Sequence, residues 1–218
     1  MQKLTSILND SIFKKPNMTE EEWAENDRNV YEWEKECNDI SIKARINNSG
    51  IPDAFINAKL GYSIEIAEFA GNPNVGLLIQ GKTGRGKTYQ ACAVLLSAAS
   101  IMTVRFTTFD DLIRECKATF NNYDTEQQVI SRYSNVGMLC IDDMGKERLT
   151  EWSLPIVFSV INNRYNGLRP TIITTQYSGK VLLERMTVND DCETAKAIIS
   201  RMTCYDRVVL EGKDWRLV

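Results

Sequence analysis

Gly81-Lys-Thr-Gly-Arg-Gly-Lys-Thr88 is the stretch on which the fold turns. It is a glycine, four free positions, then Gly-Lys followed by a hydroxyl residue, the pattern of a loop that wraps phosphate. Gly81, Gly84 and Gly86 leave the backbone free to turn tightly and to bring its N–H groups close to an anion, which a Cβ would obstruct. Lys82, Thr83 and Arg85 fill the free positions of the same cradle. Lys87 reaches toward β- and γ-phosphates, and Thr88 offers a hydroxyl to Mg²⁺. The helix opening there adds its positive end. An ordinary Gly-rich turn needs no particular flanks. Here Val75-Gly-Leu-Leu-Ile-Gln80 reads as a buried strand running into the loop, and Thr88 to Ala99 as an Ala-rich helix leaving it.

Outward from the loop the pattern alternates. Strands are expected at Gly76 to Gln80, Thr103 to Thr107, Met138 to Ile141 and Thr171 to Thr175. Helices are expected at Thr88 to Ala99, Phe109 to Phe120 and Ser153 to Tyr165. Short apolar runs alternating with longer helices predict an α/β fold, a parallel sheet covered by helices on both faces with right-handed crossovers. Phosphate then binds at the carboxyl edge of that sheet.

Gly137-Met-Leu-Cys-Ile-Asp-Asp143 is an apolar strand that ends in two acids. A buried strand has no place for a charge until it emerges, which puts both acids at the edge where the phosphate loop also ends. Asp142 is expected to hold the Mg²⁺ that Thr88 coordinates, and Asp143 to orient or deprotonate an attacking water. Acids often cap strands in turns, so the pair gains meaning from the phosphate loop upstream.

The chain of 218 residues carries a net charge of −3, which advertises no overall attraction to nucleic acid. The charge is uneven: nine acids against Arg28 and Lys35 give residues 19–39 a net −7 and leave +4 elsewhere. An acidic helix is expected from Thr19 to Ile46, with Thr19 and Glu22 spaced as a capping box. Trp23, Val30, Tyr31 and Trp33 on it serve equally well as anchors for a partner or as packing against the rest of the protein. Asn47-Asn-Ser-Gly-Ile-Pro52 reads as a joint, which divides the chain into an N-terminal extension, residues 1–49, and a nucleotide-binding domain, residues 50–218. Six cysteines without a C-x-x-C pair, and no histidine, argue against zinc; Cys92 and Cys140 read as core thiols. No apolar run approaches a membrane span and no leader is evident, so a cytoplasmic protein is expected.

Several stretches resemble the AAA+ ATPases, and among them the bacterial replicative helicase loaders of the DnaC and DnaI type with the related IstB transposition ATPases. They are Gly50-Ile-Pro-Asp-Ala-Phe-Ile-Asn-Ala-Lys-Leu60, the phosphate loop, Phe106-Thr-Thr-Phe-Asp-Asp-Leu112, Ile141-Asp-Asp-Met-Gly-Lys-Glu147, Ile161-Asn-Asn-Arg-Tyr165, Arg169-Pro-Thr-Ile-Ile-Thr-Thr175, Ile199-Ser-Arg-Met202 and Gly212-Lys-Asp-Trp-Arg216. The resemblance implies a P-loop AAA+ domain with a short helical N-terminal extension and a reduced C-terminal lid. It implies that Thr175 or Gln176 reads the γ-phosphate, where the family usually carries Asn in place of Gln176, and that hydrolysis is slow. It further implies that Arg201 is an arginine finger offered to a neighbouring subunit's ATP, with Arg164 a second candidate, and that Arg216 is a sensor arginine. The guanidinium fork suits these tasks because it meets phosphate oxygens with two donors.

The function implied is a helicase loader that binds ATP or ADP with Mg²⁺, self-assembles, grips a replicative helicase through its acidic extension and engages single-stranded DNA. Arg114, Lys117 and Arg132 beside Phe120 and Tyr123 offer cations and rings for such a strand, although an amphipathic helix on the sheet would show the same residues. An IstB-like transposition helper and a non-hydrolysing adaptor or inhibitor of the helicase system are the alternatives.

Overall fold

The computed structural model describes residues 19–61, 63–119, 125–189 and 192–215. Five parallel strands form one sheet in the order β2-β3-β4-β1-β5: β1 Gly76–Gln80, β2 Val104–Thr108, β3 Met138–Asp142, β4 Thr171–Thr175 and β5 Asp206–Val209. Eight α-helices are seen among the described residues, besides a 3-10 turn at Asp53–Phe55: α1 Glu20–Asn47, α2 Ile64–Gly71, α3 Lys87–Ala98, α4 Phe109–Ala118, α5 Glu126–Asn135, α6 Ser153–Asn166, α7 Gly179–Met186 and α8 Glu193–Met202. The parallel α/β architecture expected from the alternating pattern is the one observed.

The period-2 alternation of strand side chains divides the core in two. Leu77, Ile79, Met138, Cys140 and Ile172 point to a layer made with Ile66 and Phe69 of α2 and with Ala91, Cys92 and Leu95 of α3. Leu139, Ile141 and Ile173 point the other way, toward Leu112 of α4, Tyr133 of α5, Val160 of α6, Leu182 of α7 and Ile198 of α8. Cys92 and Cys140 are fully buried core thiols, as their apolar contexts suggested. Burial pushes the Cys92 thiol up to about 12.

The chain divides into two compact units, Met1–Ser41 and Ile42–Val218. Of the first, the described part is the opening stretch of α1, where Tyr31 and Trp33 are exposed; the side chains of Glu22 and Trp23 lie outside the described residues. In the second unit, the last turn of α1 is fastened where Arg45 Nη1 donates to Ala99 O at 2.9 Å, and the joint beyond it where the Phe106 amide donates to Ser49 O at 2.7 Å. Among the described residues no helix is long and apolar enough to cross a membrane.

Candidate nucleotide site

The strand order explains why two segments 54 residues apart in sequence meet. β4 lies between β1 and β3, so the loop leaving β1 and the acids leaving β3 open onto the same carboxyl edge with β4 between them. There the Thr88 hydroxyl donates to Asp142, 3.1 Å from Oδ1 and 3.0 Å from Oδ2.

The loop has the shape its glycines predicted. Gly84 and Gly86 take φ of 77° and 80°, left-handed values that an L side chain rarely adopts. Gly86 caps α3, whose first residue is Lys87, so the N–H groups of that first turn open onto the loop. Lys87 is 7% exposed and its ammonium donates to Lys82 O at 3.2 Å, folding the side chain back over the loop. Thr83, at the outer bend, donates to Gln176 Oε1 at 3.1 Å.

The acid doublet is split by its environment. Asp142, the last residue of β3, is 5% exposed, and burial raises its carboxyl above the usual range. A hydrogen bond from Thr174 opposes that shift, the charge of Asp143 adds to it, and Thr88 and Lys87 oppose it again. Asp143 has left the sheet with φ at 55°, a conformation uncommon for a residue with a Cβ. It is held there by its own amide, which donates to Thr174 Oγ1 at 2.9 Å, and by its carbonyl, which accepts from the Lys146 amide at 3.1 Å. Its carboxylate stands half-exposed, 3.8 Å from Lys146 Nζ. One buried acid therefore faces the Thr88 hydroxyl while its neighbour stands half-exposed.

The oxygen-only donor set of Thr88 and Asp142 suits a hard cation such as Mg²⁺. In a nucleotide-bound state these two would hold the ion, which would neutralise phosphate charge.

Of the two residues expected to read the γ-phosphate, Thr175 is buried and its hydroxyl donates to Met144 O at 2.7 Å, fixing the turn after β3. Gln176 is the one beside the loop: it accepts from Thr83 and its Nε2 donates to the Tyr177 hydroxyl at 2.9 Å. Tyr177 in turn lies under Arg185, 4.5 Å from guanidinium carbon to ring centroid, and Arg185 donates to the carbonyls of Gly145 and Lys146. Neither Tyr177 nor Arg185 was legible as part of the site, because only the fold brings α7 beside the turn after β3.

Arg201 lies on α8 away from the loop. Its Nε donates to Asn162 Oδ1 at 2.9 Å, and its guanidinium covers the Phe158 ring at 4.9 Å. Arg216 lies outside the described residues. Arg164 is not a group available to a neighbouring subunit: it is fully buried at the amino edge of the sheet, where Nε donates to Thr171 Oγ1 and the two terminal nitrogens donate to the carbonyls of Tyr133, Ser134, Val136, Gly137 and Pro170. Its neighbour Tyr165 in the Ile161–Tyr165 stretch gave no sign of this.

The cations considered for a single strand are engaged as well. Arg114 pairs with Asp110 and Asp111, Arg132 pairs with Glu115, and Lys117 lies 5.9 Å over the Trp152 ring. Phe120 and Tyr123 lie outside the described residues.

The model of the IstB-like ATP binding protein family matches residues 63–217. The replicative helicase loader DnaC of Escherichia coli strain K12 is 28% identical over 174 residues, 71% of this chain and 68% of its own length. The protein of the same name from Buchnera aphidicola subsp. Baizongia pistaciae is 28% identical over 199 residues, covering 75% and 80% of the two chains. Among solved structures, the DnaC helicase loader superposes with a TM-score of 0.61 at 25% identity, covering 73% of this chain and 100% of that one. DnaI superposes at 0.63 with 19% identity over 75% and 96%. The P-loop AAA+ fold expected from the sequence stands.

Proposed function

The chain belongs to the IstB-like ATP-binding family, and on that premise we propose that it is an ATP-dependent loader of a replicative DNA helicase. ATP or ADP binds in the Gly81–Thr88 loop through its amides, Lys87 and the α3 N-terminus. Thr88 and Asp142 hold Mg²⁺, and Asp143 orients the water that attacks the γ-phosphate. The observation that carries this reading is the Thr88 hydroxyl within 3.1 Å of both Asp142 oxygens, which brings the two halves of a metal–phosphate site together. The kinship with DnaC loaders supports the choice of task.

In this proposal the acidic extension, residues 1–49, contacts the helicase; exposed Tyr31 and Trp33 are aromatic anchors of the kind partner surfaces use. Self-assembly completes the site through Arg201 from a neighbouring copy, and the assembled protein engages single-stranded DNA in the cytoplasm.

The test is ATP turnover with and without single-stranded DNA, in the wild type, Asp143→Asn and Arg201→Ala, across protein concentrations. The wild type should turn over ATP at a per-subunit rate that rises with protein concentration. Asp143→Asn should bind ATP without turnover, and Arg201→Ala should lose the concentration dependence. A rate independent of concentration sinks the shared site. Tight nucleotide binding with no turnover in any protein favours the adaptor reading, which the engagement of Gln176 with both Thr83 and Tyr177 keeps in view.

A further inference from the structure

Past β5 the chain does not leave the site but runs beside the phosphate loop. The Leu210 amide donates to Gln80 O at 2.7 Å, and a Cβ on Gly81 would stand 2.6 Å from the Leu210 carbonyl oxygen. Five residues after Leu210, the Trp215 amide donates to Gly84 O at 2.9 Å. Between these two contacts the Asp214 carboxylate fills the space that a side chain on Gly84 would occupy: a Cβ there would lie 1.8 Å from Oδ1 and 2.1 Å from Cγ. A negative charge is thus packed against the backbone of a loop whose glycines, lysine and helix end are arranged for an anion. The loop also keeps a cationic donor that Asp214 does not satisfy, since Arg85 Nη1 is buried without a hydrogen-bond partner among the described residues.

We propose that residues 210–215 form an electrostatic strap over the phosphate loop, in which Asp214 sets nucleotide affinity by repelling the phosphates. The inference rests on the nucleotide site proposed above and adds to it a control that the loop's own residues do not provide. A carboxylate and a polyphosphate drawn to the same loop repel one another in a partly desolvated setting. A polyphosphate therefore binds more tightly when the carboxylate withdraws. Because the strap is tied to the loop through the Trp215 amide and to β1 through the Leu210 amide, its withdrawal opens the loop at Gly84 while the sheet contact holds. Anything that pulls on the segment beyond β5 then changes how firmly nucleotide is held.

The test is binding of ADP, ATP and adenosine to the full-length wild type, Asp214→Asn and Glu211→Gln, measured by calorimetry at low and high salt. Asp214→Asn should bind ADP and ATP about tenfold more tightly than the wild type at low salt, with the difference shrinking at high salt. Its affinity for adenosine, which lacks phosphate, should stay at the wild-type level. Glu211→Gln removes the same charge from the same segment and should leave all three affinities unchanged. Affinities of Asp214→Asn within twofold of wild type, or weaker, overturn the strap and leave the nucleotide site standing. An equal gain for adenosine, or the same gain in Glu211→Gln, also overturns it, because the effect would then be packing or diffuse charge. If neither wild type nor variant binds ADP or ATP, the nucleotide site itself fails and this inference fails with it.

Discussion

The Thr174 hydroxyl donates to Asp142 Oδ1 at 2.5 Å and at the same time accepts from the Asp143 amide at 2.9 Å. One buried side chain on β4 therefore fixes both acids at the end of β3, Asp142 through its carboxylate and Asp143, just past the strand, through its backbone. Groups that orient the residues around a metal typically govern activity by ten- to a hundredfold. Thr174→Val keeps the shape and removes both bonds. It should lower ATP turnover by about ten- to a hundredfold while binding of nucleotide without Mg²⁺ changes little, and Thr174→Ser should restore most of the rate. Steady-state turnover alongside calorimetric binding checks both halves, and an unchanged rate in Thr174→Val would remove this residue from the site.

Asp142 illustrates the tension between stability and function at such an edge. Burial raises its folded pKa above the unfolded value, so the ionised carboxylate destabilises the nucleotide-free protein once pH exceeds the folded pKa. That penalty disappears as pH falls through the folded pKa toward the unfolded one. Asp142→Asn should therefore stabilise the nucleotide-free protein at neutral pH, by on the order of 1 kcal/mol, while abolishing magnesium-dependent turnover. The gain should fade on acidification into the carboxylate range. Thermal melts from pH 8 to pH 4 test the sign: a variant less stable than wild type at pH 8 would mean that the hydrogen bonds from Thr174 and Thr88 outweigh the burial penalty.

Gln176 stands where its amide touches the phosphate loop through Thr83 and the turn after β3 through Tyr177, which lies under Arg185. We propose that from this position its amide reads the terminal phosphate, the role the family resemblance implies for it. Gln176→Ala should reduce the preference for ATP over ADP by about tenfold, in line with the loss of one or two hydrogen bonds to a charged group. Affinity for ADP should be nearly unchanged. Competitive binding of the two nucleotides measures the ratio directly, and an undiminished preference would assign the sensing role elsewhere.

How much of this was legible in the sequence depended on whether a residue's partner lay nearby in the chain. Gly81–Thr88 announced its loop, and the run from Met138 to Ile141 its buried strand, observed as Met138–Asp142, because each needs only its own neighbours to be recognised. The same holds for the helix predicted from Thr88 to Ala99, observed as Lys87–Ala98. α5 lies outside the alternating pattern, although its capping box, Thr125 with Gln128, is a local signal in the sequence. α2 carries a comparable signal in Ser63, which caps the Ile66 amide. β5 gave no such cue: a four-residue edge strand with one buried side chain has too little alternation to detect. The approach of Asp214 to Gly84, like the contact between Arg185 and Tyr177, comes from tertiary placement that no spacing rule encodes.

Arg164 is the clearest case of a residue whose role only the fold reveals, and it yields a prediction opposite to that for a nucleotide-sensing arginine. Its guanidinium joins the end of α5, the segment before β3 and the start of β4 through five carbonyls and the Thr171 hydroxyl. Burial pushes its pKa down to about 9, which leaves it charged at neutral pH. Replacing one member of a buried polar network strands the others, at a cost of about 3–5 kcal/mol. Arg164→Met should therefore lower the melting temperature by roughly 10 °C. Lys in its place should not rescue, because three donors on a flexible stem cannot serve six acceptors fixed around a planar fork. In whatever fraction of Arg164→Met remains folded at low temperature, nucleotide affinity should match the wild type, since the phosphate loop lies at the opposite edge of the sheet. A stable Arg164→Met protein that fails only in nucleotide turnover on assembly would instead make this arginine a contact between subunits.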